Sequence, residues 1–101
     1  MNYTLLTQDE AIIEGHQIFE EYEEKQEGLG FAFIESLERA YAELEKGALY
    51  YRFIDNKKRY RRILLDRFPL LVIFEIEETT VYIVAIRYER EDSAKRKKYI
   101  G

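Results

Sequence analysis

The chain has 101 residues and a formal net charge of −4, from 16 Lys and Arg side chains against 20 Asp and Glu. It has no cysteine and one histidine, which excludes disulfides, thiolate catalysis and cysteine-ligated zinc. The length is typical of one domain, and a composition that is 47% hydrophobic and 15% aromatic is too apolar for a disordered chain. We therefore expect one folded domain over residues 1–101, with no metal and no cofactor.

No membrane or export signal is evident. The first ten residues lack a basic stretch followed by an apolar one. Apolar runs such as residues 70–74 are far below the roughly 20 residues that span a bilayer. We expect a cytoplasmic protein.

The net charge conceals a division along the chain. Residues 1–50 hold 12 acidic and 3 basic side chains, a balance of −9, whereas residues 51–101 hold 8 acidic and 13 basic ones, a balance of +5. The summed charge therefore describes neither half, and a local basic surface remains compatible with an acidic protein.

The first half of the chain predicts a strand and two helices. Residues 1–6 favour a short strand. Thr7 and Glu10 form a capping-box pattern, which indicates the start of a helix. Apolar residues then recur at the 3.6-residue period of an amphipathic helix, at Ile12, Ile18, Phe19 and Tyr22.

A second helix is predicted over residues 31–46, after Gly28-Leu29-Gly30 interrupts the pattern. Gly47 is well placed to end this helix in a left-handed cap. Two helices joined by a few residues predict an antiparallel hairpin. The apolar stripe of the second helix is formed by Phe33, Ile34, Leu37, Tyr41 and Leu44.

Beyond Gly47 the apolar period changes to two. The strand candidates are residues 49–54, 59–65, 70–76 and 81–88, and their short polar connections predict an antiparallel meander. The unbroken apolar run 70–74 indicates a strand that is covered on both faces, near the centre of the sheet. Asp92-Ser93 could cap a last basic segment, residues 94–99, as a short helix or a tail. We predict an α+β fold of order β-α-α-β-β-β, with the helical hairpin on one face of a mainly antiparallel sheet.

Two candidate sites have simpler explanations. His16 is the one side chain with an ordinary pKa near neutrality, but no nucleophile can be paired with it from spacing, so we favour a structural or surface role. A metal site would need several carboxylates that converge on one point. The glutamates of the first predicted helix instead point in different directions around the helix axis, as expected for a solvated face. These residues are Glu20, Glu21, Glu23, Glu24 and Glu27.

A basic, tyrosine-rich surface is the strongest functional candidate. Alternation along the strand puts Arg61 on the same face as Ile63 and Leu65, and Arg62 on the opposite face. Such a surface suits phosphate contact and base stacking, an acidic protein partner, or plain solvation. Its basic residues are Lys57, Lys58, Arg59, Arg61, Arg62, Arg67, Arg87, Arg90 and residues 95–98, interleaved with Tyr60, Tyr82, Tyr88 and Tyr99.

The sequence around these basic residues resembles that of a known protein family. Residues 60–65, followed by Arg67-Phe68-Pro69 and the run 70–76, resemble the central signature of the ParE branch of the RelE/ParE toxin superfamily. The glycines before the second helix, with Phe33, are also similar to that family, so the resemblance covers essentially the whole chain. The closing segment is similar through Val84-Ala85-Ile86 and Tyr88-Glu89-Arg90-Glu91-Asp92.

The resemblance implies a plasmid-stabilisation toxin of a bacterial type II toxin-antitoxin system, held inactive by a cognate antitoxin. The superfamily includes DNA gyrase inhibitors and ribosome-dependent mRNA endonucleases. Leu70 and Leu71 stand where the ribonuclease members carry an arginine that would stabilise charge on the scissile phosphate. We therefore favour a toxin that binds a protein such as gyrase. The alternatives are an mRNA endoribonuclease and a degenerate homologue that binds its antitoxin alone.

The resemblance also selects the site residues. Those expected to bind the target or the antitoxin are Arg61, Arg62, Arg67, Arg87, Tyr88 and Arg90. In the ribonuclease alternative the catalytic residues would be Arg61, Arg62, Arg90 and Tyr99.

Overall fold

Four strands and two long helices make up most of residues 2–90, the part of the chain that the computed structural model describes. In chain order they are β1 (Thr4–Thr7), α1 (Asp9–Lys25), α2 (Leu29–Gly47), β2 (Tyr60–Leu64), β3 (Leu70–Glu77) and β4 (Thr80–Tyr88). A short 3-10 turn, Ala48–Tyr50, follows α2. The predicted α+β class and the order β-α-α-β-β-β are confirmed.

The sheet has the strand order β1-β4-β3-β2. The last three strands form the predicted antiparallel meander. The first strand lies at the other edge and runs parallel to β4, with Thr4 opposite Thr80 and Thr7 opposite Ile83. The sheet is therefore mixed but mainly antiparallel, as expected.

Strand β3 lies inside the sheet and is buried on both faces, as its unbroken apolar sequence predicted. Val72 and Phe74 belong to the main core, beneath the helices. Ile73 points to the other face, where it packs with Val84 and Ala85 in a smaller cluster. Both apolar faces of this strand thus have packing partners.

The helical hairpin is held on the sheet by aromatic packing. The ring of Phe68, from the turn between β2 and β3, lies 5.0 Å from that of Tyr22 on α1 and 6.1 Å from that of Phe33 on α2. Burying each such side chain stabilises the fold by about 1.5–3 kcal/mol. The three rings therefore join both helices to the sheet.

Both ends of the hairpin differ from prediction. The capping box was wrong: Thr7 belongs to β1, so α1 begins at Asp9 after Gln8, which makes no side-chain cap. The second helix begins at Leu29, two residues earlier than expected. Gly47 does end α2, but its φ of −160° is extended rather than left-handed, and the chain continues into the 3-10 turn.

The predicted strand over residues 49–54 is also wrong. Ala48 is fully buried and begins a 3-10 turn, so only the end of the predicted segment runs beside β2. The segment meets β2 through an isolated bridge between Phe53 and Arg61. Two further backbone bonds hold it there: Ile54 N–H to the carbonyl of Tyr60 (2.8 Å) and Arg62 N–H to that of Arg52 (3.1 Å). The basic segment predicted over residues 94–99 lies outside the described residues.

The two helices approach closely at Gly30. Its N–H donates to Oε1 of Glu23 at 2.8 Å. A Cβ atom at this position would lie 2.7 Å from both Glu23 Cγ and the carbonyl oxygen of Phe19. A Cβ at Gly15, in the middle of α1, would instead make an ordinary 3.5 Å contact with Cδ1 of Ile86. The close approach at Gly30 thus depends on the missing side chain, whereas Gly15 has room for one.

These two glycines predict opposite effects of the same substitution. We expect Gly30→Ala to lower the free energy of unfolding by about 1–3 kcal/mol, because the backbone of Phe19 cannot move aside cheaply. Gly15→Ala should raise it by up to about 1 kcal/mol, because alanine is the better helix former and fits the available space. Urea unfolding of both variants measures the difference, and equal effects would contradict the close crossing.

Candidate functional site

Arg61, a predicted target-binding residue, is used to hold the chain after α2. Its guanidinium donates to the carbonyl of Tyr51 at 2.6 Å and lies 3.9 Å from the ring centroid of Phe53. A longer bond of 3.3 Å reaches the carbonyl of Leu49. As alternation predicted, Arg61 shares its face with Ile63, but there it braces a loop.

The braced loop has a second anchor on α2. The hydroxyl of Tyr51 donates to Oε2 of Glu43 at 2.6 Å. Burial, followed by this carboxylate, raises the pKa of Tyr51 to about 12. Because the phenol stays protonated at neutral pH, it remains a donor to Glu43 and ties the loop to the helix.

Arg87, a second predicted binding residue, lies on β4 and is buried against α1, with 8% of its surface exposed. Its guanidinium forms an ion pair with Glu14, and Glu10 lies 3.8 Å away. The other carboxylate oxygen of Glu14 accepts the backbone N–H of Ile86 at 2.9 Å. This arginine therefore joins a helix to the sheet and is not presented to a partner.

Tyr88 is half-buried at the end of β4. Its hydroxyl donates to Oε2 of Glu21 at 2.9 Å. Burial, and then the neighbouring Glu21 carboxylate, raises the pKa of this phenol. Tyr88 thus also contributes to the joint between β4 and α1, while part of its ring stays accessible.

Three of the predicted arginines are exposed. Arg67 is in the turn between β2 and β3, and Arg62 is the middle residue of β2, opposite Ile73 on β3. The N–H of Glu89 donates to the carbonyl of Pro69 at 2.9 Å, which brings the chain around Arg90 to the same turn. Within residues 2–90 none of the three side chains is ion-paired. We call Arg62, Arg67 and Arg90 the exposed arginine set.

The turn that carries Arg67 is fixed on both sides. Before it, Asp66 accepts hydrogen bonds from the buried hydroxyl of Ser36 and from Nε of Arg39, the latter at 3.0 Å. These two bonds, the one from Arg39 more than the one from Ser36, hold the pKa of Asp66 below its usual value. After it, Phe68 is buried in the core. Arg67 itself has a φ of 78°, a left-handed conformation that costs a residue with a side chain about 1–3 kcal/mol. The fold therefore maintains a strained residue with its cation in solvent.

The described residues do not bring together a complete ribonuclease site. Arg61 is used by the loop, Leu70 and Leu71 are buried where a strand arginine was expected, and Tyr99 lies outside the described residues. Among residues 2–90 there is no group of three or more His, Asp or Glu side chains that could hold a metal ion. No helix in this part of the chain is long and apolar enough to cross a membrane.

A second surface was missed by the sequence reasoning. An open groove of about 510 Å³ separates parts of α1 and α2, and Ile86 lies at its floor. We call it the interhelix groove. Its helical walls are formed by Ala11, Ile12, Gly15, His16 and Phe19 on α1 and by Ile34, Leu37 and Tyr41 on α2.

The groove exposes Ile12, a residue of the predicted apolar stripe of the first helix, which is 44% exposed. Beside the groove, Phe31 packs edge-on against Phe19 at 5.0 Å and is 62% exposed. One of the few polar groups in the groove is the hydroxyl of Tyr41, which is hydrogen-bonded to Thr7. Burial raises the pKa of this phenol to about 12. The available signal was that Ile12-Ile13 and Phe31 make the apolar surface wider than one face needs.

Comparison with solved structures supports the fold. A chain from a structure described as "Chromosomal ParDE TA system from P. aeruginosa" superimposes with a TM-score of 0.75 and 15% sequence identity, covering 85% of this chain and 95% of that chain. No protein-family model and no curated protein sequence matches this chain. The likeness confirms the fold that the sequence resemblance implied, and its low identity leaves the site residues to be judged from their geometry.

The different environments of neighbouring arginines lead to a stability prediction. We expect Arg61→Ala to lower the free energy of unfolding by about 1–3 kcal/mol, because the carbonyl of Tyr51 loses a charged donor. Arg62→Ala should stay within about 0.5 kcal/mol of the wild type, because its side chain is exposed. Thermal and urea unfolding check both values. Equal losses would contradict the assignment of Arg61 to the loop.

Proposed function

We propose that this protein is the toxin component of a bacterial type II toxin-antitoxin pair, ParE-like, cytoplasmic, and neutralised by a cognate antitoxin. The observation that carries the proposal is the shared fold, which extends over 95% of a chain from a ParDE system. The sequence resemblance around Arg67-Phe68-Pro69 lies in the turn that the structure holds rigid. The fold and the sequence resemblance thus point to the same class of protein.

We infer that the toxin acts by binding a target protein, with DNA gyrase as the first candidate. The exposed arginine set offers three guanidinium groups for carboxylates of a partner, a geometry that favours bidentate hydrogen bonds. Arg61 and Arg87, which hold the fold together, are not part of this surface. Binding without covalent chemistry also fits the incomplete ribonuclease set among the described residues.

The strained Arg67 supports the same proposal. Arg67 has a left-handed backbone in a turn between two anchored neighbours, and this conformation fixes the direction in which its side chain leaves the turn. Such strain is expected where a residue must be presented to a partner in one orientation. Arg67 is therefore the residue of the set on which target binding should depend most.

Induction in a bacterial host tests the proposal. We expect cells that express the wild-type protein to stop growing and to lose negative supercoiling. Cells that express the triple variant Arg62→Ala, Arg67→Ala, Arg90→Ala should grow normally. Each lost charge-assisted hydrogen bond costs about 1.5–3 kcal/mol of binding, so three should weaken target binding by about 1000-fold or more. The control Lys46→Ala removes an exposed cation from the helical hairpin and should remain toxic.

The other outcomes decide between the alternatives. Rapid translation arrest with cleaved mRNA would contradict gyrase inhibition and favour the ribosome-dependent endoribonuclease. No growth defect from a folded wild-type protein would favour a degenerate homologue that binds its antitoxin alone. Full toxicity of the folded triple variant would show that the exposed arginine set is not the target-binding surface.

A further inference from the structure

The outer edge of β2 is covered over only part of its length. This strand is the last in the sheet, so within residues 2–90 its outer edge has no strand beside it. The chain after α2 covers the first part: the N–H of Ile54 donates to the carbonyl of Tyr60, and the N–H of Arg62 donates to the carbonyl of Arg52. The described residues form no further backbone bond between this segment and β2, so the covering ends at Arg62.

The rest of the edge is open at Leu64. In an antiparallel ladder, successive residues direct their N–H and C=O groups alternately to the two sides of the strand. Leu65 bonds to the side of β3, because its N–H donates to the carbonyl of Leu70 at 2.9 Å, so both backbone groups of Leu64 point away from β3. Neither group has a backbone partner within residues 2–90, and Leu64 is 52% exposed. Such an edge is a template for a strand of another chain.

An open cavity of about 360 Å³ lies beside this part of β2. We call it the β2-edge cavity. Its walls come from β2, from the chain after α2 and from α2 itself, and they include Arg62 and Leu64, Tyr50, Tyr51 and Arg52, and Glu43. The space next to the open backbone groups is therefore shaped by three elements of the fold.

The open edge is short. The next residue whose backbone points outward is Asp66, and its carbonyl accepts the hydroxyl of Ser36 at 2.7 Å. Its carboxylate pairs with Arg39 on α2. The edge is thus closed by α2 at Asp66 and by the covering segment at Arg62. This stretch is about 13 Å long at the rise of a strand, which suits about three or four residues of a partner.

The cavity has an excess of positive charge at the covered end of the edge. Arg52 and Arg62 lie opposite each other, joined by the backbone bond of 3.1 Å. Both side chains are exposed, and within residues 2–90 neither forms an ion pair. Glu43, the acidic side chain that lines the cavity, accepts the hydroxyl of Tyr51. Like charges at opposed positions destabilise a β-pair, so a carboxylate of a partner would relieve the repulsion between the two arginines.

The direction of β2 gives the order of the partner's residues. An antiparallel strand that pairs with Leu64 continues towards Arg62 with its C-terminal residues. Its residue opposite Leu64 would lie beside an exposed aliphatic side chain, and Tyr50, which is 90% exposed, adds an aromatic ring to the same cavity. An apolar residue fits this position. The acidic residue then follows it, where Arg52 and Arg62 can reach the carboxylate.

We propose that the open edge of β2 pairs with a short extended segment of the target protein, in which an apolar residue opposite Leu64 is followed within two residues by Asp or Glu. The carboxylate binds Arg52 and Arg62. The inference rests on the proposed function, because it takes the target of the toxin as the partner. It adds backbone pairing as the mode of binding, and it adds Arg52, which the sequence reasoning did not select, to the contact.

Binding of designed peptides tests the edge directly. The probe is a six-residue peptide of alternating Thr and Val that ends in two Asp, with a fluorophore at the N-terminus and an amide at the C-terminus. One control peptide has Asn in place of both Asp, and a second has N-methyl groups on both Val. In fluorescence anisotropy against the full chain, each control should bind at least about tenfold more weakly than the probe. The first loses its carboxylates, and the second loses the N–H that the Leu64 carbonyl accepts.

The two controls separate the parts of the proposal. Binding of the N-methyl peptide as tight as that of the probe overturns strand pairing. Binding of the Asn peptide as tight as that of the probe overturns the selection of an acidic segment.

Amide hydrogen exchange locates the pairing. A saturating concentration of the probe should slow exchange of the Leu64 amide at least about tenfold, because its N–H gains an acceptor. The amide of Ile54, which already donates to Tyr60, is the internal control and should change less than about twofold. Peptide binding without protection of the Leu64 amide overturns the proposal.

Variants of the arginines test the charge selection. Arg52→Gln, Arg62→Gln should weaken the probe at least about tenfold and remove its advantage over the Asn peptide. The matched control Arg67→Gln, Arg90→Gln removes the same charge from residues that do not line the cavity, and it should weaken the probe less than about threefold. Equal losses from the two double variants would overturn the assignment of the charge to the β2-edge cavity.

Leu64→Pro tests the backbone contact from the side of the protein. Proline lacks the N–H, and an edge strand tolerates it where that N–H faces solvent. We expect the folded variant to bind the probe at least about tenfold more weakly. Unchanged binding overturns strand pairing. If the variant does not fold, the N-methyl peptide decides the same question with the wild-type protein.

The role of the edge in toxicity is tested with Arg52→Gln. We expect growth arrest to require at least about tenfold more of this variant than of the wild type, because target binding loses a charge-assisted hydrogen bond. The control Lys46→Gln should arrest growth as the wild type does. Two other occupants would overturn the assignment to the target. One is a second copy, seen as a wild-type dimer in sedimentation that Leu64→Pro dissociates. The other is the antitoxin, seen as Arg52→Gln protein that is fully toxic and no longer neutralised.

Failure of the proposed function is seen separately. A wild-type protein that causes no growth arrest contradicts toxicity, whereas the peptide measurements still report whether the edge of β2 pairs with an acidic strand. An Arg52→Gln protein that loses peptide binding but keeps full toxicity leaves the proposed function in place and overturns this inference.

Discussion

The position of α1 depends on where the first strand ends. Strand β1 pairs with β4 as far as Thr7 opposite Ile83, so within residues 2–90 no strand covers the outer edge of β4 beyond that point. Buried backbone groups must find other partners. The N–H of Ile86 finds one in the carboxylate of Glu14, which also pairs with Arg87. One side chain of α1 thus completes the sheet edge and neutralises a buried cation.

The functional surfaces follow from this arrangement. With Arg87 buried against α1 and Arg61 bracing the loop after α2, the arginines of the predicted binding set that remain exposed are Arg62, Arg67 and Arg90. The same placement of α1 leaves Ile86 at the floor of the interhelix groove. The charge division of the chain therefore has a spatial counterpart: the hairpin carries the acidic balance of residues 1–50, and the exposed arginine set lies in the basic half.

Much of the fold could be predicted from periodicity, and less of the site. The apolar run at residues 70–74 identified the central strand, because a strand buried on both faces needs no polar alternation. Alternation also placed Arg61 on the correct face, but it does not report what lies across from a side chain, so the loop that Arg61 braces was not foreseen. Residues 49–54 read as a strand, because the burial of Ala48 that coils the chain is a tertiary effect. The groove was missed because a pattern that marks Ile12 as apolar does not show how far apart two helices lie.

The most direct test is amide hydrogen exchange at Ile86 in the wild type and in Glu14→Ala, with Glu21→Ala as the control because its carboxylate accepts a phenol rather than a backbone N–H. If Glu14 completes the edge of β4, the Ile86 amide exchanges slowly in the wild type and in the control. Loss of the charged acceptor should accelerate it by roughly 10- to 100-fold in Glu14→Ala. An Ile86 amide that exchanges as fast as an exposed one in the wild type, or that is unaffected by Glu14→Ala, would contradict the account.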